Sequence, residues 1–239
     1  MRTLSIDIET SSPISLAKSG VYKYCNHPDF EILLFSYAID DCAVRTVDLA
    51  SGEQLPAEIL RALDDPAVVK WTYNASFERT CLSAYLGRRL DPAGWRCSMV
   101  WAATLGLPLS LKDVGTVLNL DAQKMSEGKN LIKYFCVPDE NSQRRLPSSD
   151  PAGWKLFQSY NARDVQVETA IRQKLANFPV PEYVWAQYEV DQRINDRGIR
   201  IDTQLATNAI RIDETHRAPA LARAQELTAL ENPASPLQL

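Results

Sequence analysis

Apolar and polar residues alternate through Leu4-Ser5-Ile6-Asp7-Ile8-Glu9, which predicts a β-strand with one apolar and one polar face. Residues 31–39 (EILLFSYAI) and 44–49 (VRTVDL) have the content of two further strands, so the first fifty residues read as an antiparallel meander. Pro56 to Leu63 predicts a short helix opened by proline, and residues 68–73 (VVKWTY) a buried strand. Phe77, Cys81, Leu82, Tyr85 and Leu86 then recur at helical spacing. A short strand is expected at 95–98, with helical segments around 99–105, 111–118 and 131–135. The turn-rich stretch 138–151 (PDENSQRRLPSSDP) leads into a long helix from about 152 to 176. Three strands followed by alternating helices and strands predict an α/β domain with a mixed sheet flanked by helices.

The pattern changes at Phe178-Pro179-Val180-Pro181. Val184, Trp185, Tyr188 and Ile194 share one face of a following helix, which stops at Arg197-Gly198, and Asp202 or Thr203 opens a second. Two helices alone seldom make an independent fold. The chain is therefore read as a domain over 1–177 with a helical extension over 178–239, and its ending at Pro236-Leu237-Gln238-Leu239 without a terminal element suggests the remnant of a longer protein.

With 239 residues, 45% apolar and 23% charged, the chain buries a sizeable core, which excludes disorder as its main state. No apolar run approaches the roughly 20 residues that span a bilayer, and acids occupy the N-terminus where a signal peptide would be apolar. A cytoplasmic protein without a membrane partner is expected. Cys25, Cys42, Cys81, Cys97 and Cys136 are odd in number and widely spaced, which argues against a disulfide framework or a structural zinc site and for small core residues or ordinary thiols. The net charge of -4 gives no argument of its own for a nucleic-acid partner.

The informative positions are acids inside apolar patterns, where an unpaired carboxylate is costly. Asp7 and Glu9, two residues apart on a strand, leave the same face about 7 Å apart, a spacing suited to two carboxylates converging on one cation. Glu78 follows Asn74-Ala75-Ser76-Phe77 in the first turn of a helix. Asp164 falls in the buried stripe marked by Trp154, Phe157 and Ile171 on the long helix, and Tyr160 lies one turn before it.

These three pieces, in this order, resemble the DEDD superfamily of 3′-5′ exonucleases on the RNase H-like fold, and more closely the proofreading domain of bacteriophage-type family A DNA polymerases. Asp7-Ile8-Glu9-Thr10 matches the first motif of the family, Asn74, Phe77 and Glu78 the second, and Tyr160 with Asp164 the third in its tyrosine subtype. The stretches 99–111 (MVWAATLGLPLSL) and 150–154 (DPAGW) are similar to the phage subgroup, and 187–202 resembles the entry into a polymerase thumb. One departure is Glu78, where the wider superfamily has Asp. No palm or fingers motif lies within the sequence, so no polymerase activity is expected of it.

The resemblance implies metal-dependent hydrolysis at DNA 3′ ends, with nucleoside monophosphates released and two divalent cations, Mg²⁺ or Mn²⁺, as cofactors. By the same resemblance Asp7 bridges both ions, Glu9 and Asp164 complete the site of the attacking water, Glu78 holds the second ion, and Tyr160 positions the water. A tyrosine of ordinary pKa near 10 is a poor base at neutral pH. Thr10, Asn74 and Phe77 are candidates for contacting the terminal nucleotide, and Arg79, Lys124, Lys129 and Lys133 for the phosphate backbone. The expected partner is a single-stranded or frayed DNA 3′ end. The alternatives are an exoribonuclease and a non-catalytic module that binds DNA ends and braces a polymerase.

Overall fold

In the computed structural model, which describes residues 2–40, 42–120, 128–139 and 143–238, the alternating N-terminal segment forms β1 (Thr3–Ser11). The other strands are β2 (Glu31–Ile39), β3 (Arg45–Asp48), β4 (Val69–Thr72) and β5 (Trp95–Cys97). They form one mixed sheet in the order β3-β2-β1-β4-β5, antiparallel between β1 and β2 and between β2 and β3, parallel between β1 and β4 and between β4 and β5. Each predicted strand is present within one or two residues of its expected ends.

The chain divides into two compact units, Met1–Asn195 and Asp196–Leu239. In the first, the even positions of β1 (Leu4, Ile6, Ile8) enter a core built with Ile59, Leu63, Cys81, Leu82 and Trp95. Ile59 and Leu63 come from α2 (Ala57–Asp64), Cys81 and Leu82 from α3 (Ala75–Tyr85), and Trp95 from β5. Helix α1 (Leu16–Cys25), absent from the expected elements, adds Tyr24 and Cys25 to the same core. It was illegible because Gly20, at φ 74° and ψ 165°, breaks it into two short pieces and only its last two residues are buried.

The opposite face of the sheet is covered by α7 (Pro151–Leu175), the predicted long helix. Its start follows from DPAGW: Pro151 occupies the first turn, and the Asp150 carboxylate accepts from the Gly153 N–H at 2.9 Å. A Cβ on Gly153 would lie 2.3 Å from that carboxylate, so any larger residue here must push the capping side chain aside. Helices α4 (Ser98–Thr104), α5 (Leu111–Val117) and α6 (Gly128–Phe135) pack against α7. Helix α8 (Glu182–Arg197) packs Trp185 against Trp71, ring centroids 5.8 Å apart, so the Trp185 and Tyr188 stripe is packing. Cys25, Cys81, Cys97 and Cys136 are buried among apolar residues, and Cys42 is exposed.

In the second unit the Asp202 side chain accepts from the Leu205 N–H at 3.0 Å and opens α9 (Thr203–Thr228). Among the described residues no helix is long and apolar enough to cross a membrane.

Candidate active site

The odd positions of β1 present Ser5, Asp7 and Glu9 to α7. A strand whose two faces differ this sharply is fixed in register, because a slip of one residue would exchange them. Directly after Glu9 the pairing with β2 is interrupted: Glu9 stands opposite Leu34, and Thr10 opposite Ile32. Such bulges re-aim side chains beside functional sites.

From α7, Asp164 completes a group of three carboxylates. One oxygen each from Asp7, Glu9 and Asp164 lie within 4.8 Å of one another, with Asp7 partly open and the other two buried. The Asp7 Oδ2 accepts from the Asn161 amide at 2.5 Å, and the Cys136 thiol lies 4.0 Å from Glu9 Oε2. Three converging hard oxygen donors in a recess of low exposure fit a divalent cation such as Mg²⁺ or Mn²⁺, which offsets their mutual repulsion.

Tyr160 is buried one turn before Asp164, its ring stacked on Phe157. Burial, and then the charges of Asp164, Glu9 and Asp7, hold its hydroxyl above the ordinary tyrosine range. It stays protonated at neutral pH and serves as a hydrogen-bonding group. The ring rests on Gly128 so closely that a Cβ there would come within 2.1 Å of it, which accounts for glycine at the start of α6.

Glu78 lies outside the group of three. It is buried in the first turn of α3, accepts from the Thr72 hydroxyl at 3.0 Å, and is pushed up to about 8, chiefly by burial, with Glu168 and Asp164 adding to the rise. The folded protein therefore holds a proton that the unfolded chain releases near 4.5, and without a cation stability falls as pH rises from about 4.5 to about 8. Glu78→Gln should accordingly melt higher than the wild type at pH 8.5 in EDTA and at nearly the same temperature at pH 5. Equal melting temperatures at pH 8.5 would show that the buried carboxyl carries no such penalty.

The predicted substrate contacts divide. Thr10 is buried, its hydroxyl 3.0 Å from that of Tyr24, and Phe77 is half-buried against Tyr24. With Glu9, Ile132 and Cys136 they line a cleft of about 570 Å³ beside the acids. Asn74 stands exposed at the N-cap of α3, and its side chain caps nothing. Lys129 and Lys133 are exposed one turn apart on α6, while Lys124 lies outside the described residues.

Arg79 corrects the expectation of a phosphate contact. It is 1% exposed, donates to the Leu90 carbonyl at 3.0 Å and reaches Gln192 of α8 at 3.4 Å, so it ties α3 to its neighbours from within. An arginine in the first turns of a helix reads as a surface residue unless the helix is covered on that side, as α3 is.

Sequence reasoning passed over Asn161 and a second buried polar group farther along α7. There the Glu168 carboxylate pairs with Arg172 at 2.9 Å and accepts from Ser98, while Arg172 donates to Ser5 at 2.6 Å and lies over the Trp71 ring. Burial raises the Glu168 carboxyl above its ordinary value in spite of Arg172. The spacing 161, 164, 168, 172 on one helix side was the available signal.

No family model matches the chain. Over its whole length it is 49% identical to a DNA polymerase of Bacillus phage SP02, of which it spans 38%. Among solved structures it is similar to Trypanosoma brucei RNase D, 18% identical, with a TM-score of 0.54 over 81% of this chain and 66% of that one. Brucella melitensis NrnC with bound Mg²⁺ is 13% identical, with a TM-score of 0.52 over 83% of this chain and 87% of that one. The POL domain of M. smegmatis Pol1, solved with DNA primer-template and dNTP, is 17% identical, with a TM-score of 0.53 over 88% of this chain and 34% of that one. The chain thus has the RNase H-like fold and is similar from end to end to a part of a phage DNA polymerase.

Proposed function

We propose that this chain is a metal-dependent 3′-5′ exonuclease of the proofreading type, acting on single-stranded or frayed DNA 3′ ends with two divalent cations, Mg²⁺ or Mn²⁺. The observation that carries the reading is the convergence of Asp7, Glu9 and Asp164 from β1 and α7 in a chain similar throughout to a DNA polymerase. The Mg²⁺ of NrnC and the primer-template of Pol1, both on the same fold, support the cation and the DNA. In this reading residues 1–177 form the nuclease domain, and 178–239 a helical extension resembling the start of a thumb.

Bound cations supply an activated water and charge stabilisation for the phosphodiester. Asp7, Glu9 and Asp164 would hold them, with Glu78 serving the second ion. Tyr160, kept protonated, orients the attacking water through its hydroxyl. Thr10 and Phe77 border a cleft of the size that takes one terminal nucleotide, Asn74, exposed at the start of α3, would contact that nucleotide from outside it, and Lys129 would meet the backbone by charge.

The test is a time course on 3′-labelled and 5′-labelled single-stranded DNA and RNA of one sequence with Mn²⁺ or Mg²⁺. Shortening from the 3′ end of DNA, stopped by EDTA, is expected, and the DNA-to-RNA rate ratio assigns the substrate. Binding of DNA without cleavage under either metal would replace the enzyme reading with that of a DNA-end-binding module.

A further inference from the structure

An amide from α7 reaches the Asp7 carboxylate. Asn161 is wholly buried and donates from Nδ2 to Asp7 Oδ2 at 2.5 Å, a short charge-assisted contact. The amide has one sensible orientation, because its reverse would set a carbonyl oxygen against a carboxylate. Its Oδ1 is buried and has no hydrogen-bond partner among the described residues. A buried carbonyl without a partner is costly, and an apolar side chain would avoid that cost. The residue's acceptor is therefore unused and its donor is what it contributes.

The placement is also specific. Asn161 precedes Asp164 by three residues and so lies on the same side of α7, between Tyr160 and the acid. One helix side thus delivers both an acid of the three-carboxylate group and the hydrogen bond that orients the acid opposite.

We infer that Asn161 is a positioning residue: its amide engages one oxygen of Asp7 and fixes the plane of that carboxylate, so that Asp7 meets Glu9 and Asp164 in a cation-binding arrangement. This deepens the exonuclease reading and rests on it for the reaction, though the cation-binding part stands by itself. Partners that orient metal-ligating side chains typically change metal affinity by about 10- to 100-fold when removed.

The test compares the full chain with Asn161→Leu, which has the same branching and number of heavy atoms but no donor, and with Asn161→Ser, which keeps a shorter donor. Mn²⁺ affinity is measured by the free-ion electron paramagnetic resonance signal, and melting temperature in EDTA. Cleavage of single-stranded DNA is followed against Mn²⁺ and against DNA concentration. Asn161→Leu is expected to weaken Mn²⁺ binding about 10- to 100-fold, to raise the Mn²⁺ needed for half-maximal cleavage in parallel, and to leave the KM for DNA at saturating Mn²⁺ and the EDTA melting temperature unchanged. Asn161→Ser is expected to recover part of the affinity, and it carries the test if the leucine variant does not fold.

Unchanged Mn²⁺ affinity in a folded Asn161→Leu, with the wild type binding Mn²⁺ and cutting DNA, overturns the inference and leaves the exonuclease reading intact. Mn²⁺ affinity that depends on Asn161 in a protein that cuts no DNA supports the inference and overturns the exonuclease reading. A wild type that binds no Mn²⁺ overturns the inference outright.

Discussion

Asp7→Asn is expected to lower the rate of 3′-end cleavage about a thousandfold or more and, in EDTA, to raise the melting temperature. Both effects have one cause. Three carboxylates with oxygens inside 4.8 Å of one another repel in a recess where water screens them poorly. Removing the Asp7 charge relieves that repulsion, and an asparagine oxygen still accepts from Asn161, so the uncharged variant folds at least as well. With the charge goes the attraction for divalent cations, whose stabilisation of the transition state is worth several kcal/mol. A loss of about 4 kcal/mol is close to a thousandfold in rate. Thermal melts in EDTA and in Mn²⁺, beside single-turnover cleavage, separate the two effects. A variant that melts lower than the wild type in EDTA would mean that Asp7 is a structural acid and that the repulsion is not there.

Glu168→Ala is expected to destabilise the protein by about 3–5 kcal/mol, the usual cost of stripping a buried ion pair of one partner. The Glu168 side chain is 2% exposed and that of Arg172 15%, so the guanidinium left behind keeps Ser5 and the Trp71 face but has no counter-charge. The hydroxyl of Ser98 loses its acceptor in the same step. Replacing both partners, as in Glu168→Leu with Arg172→Met, should recover most of the loss, because paired apolar groups carry no desolvation penalty. Urea titrations of the two single variants and the double give the coupling directly. A single variant within 1 kcal/mol of the wild type would place the pair effectively in solvent.

These residues also mark where sequence reading succeeds and where it stops. The five strands and the extent of α7 were legible because alternation and long apolar stripes are local signals. Asp7, Glu9 and Asp164 were legible because acids stand out in such stripes, and the structure brings those three together. Glu78 was placed with them by resemblance, but its separation from the group depends on how α3 sits over β4, which no local pattern encodes. Arg79 reads as a surface contact, and Glu168 and Arg172 pass unnoticed, because their burial is set by segments more than ten residues away in sequence, Gln192 and Ser5 among them. Asn161 was missed for a simpler reason: its spacing with Asp164 marks a shared helix side, but its role shows only once its partner on β1 is known.

The sharp division of β1 into an oily side and an acidic side bears on how the chain reaches its fold. During collapse, a central strand can pair with β2 one residue out of step at little cost in backbone hydrogen bonds. Here that error would drive Asp7 and Glu9 into the space of Leu4, Ile6 and Ile8, and leave those three facing polar groups of α7. That misalignment is therefore disfavoured, so the same acids that crowd together in the finished site also help to select the register of β1.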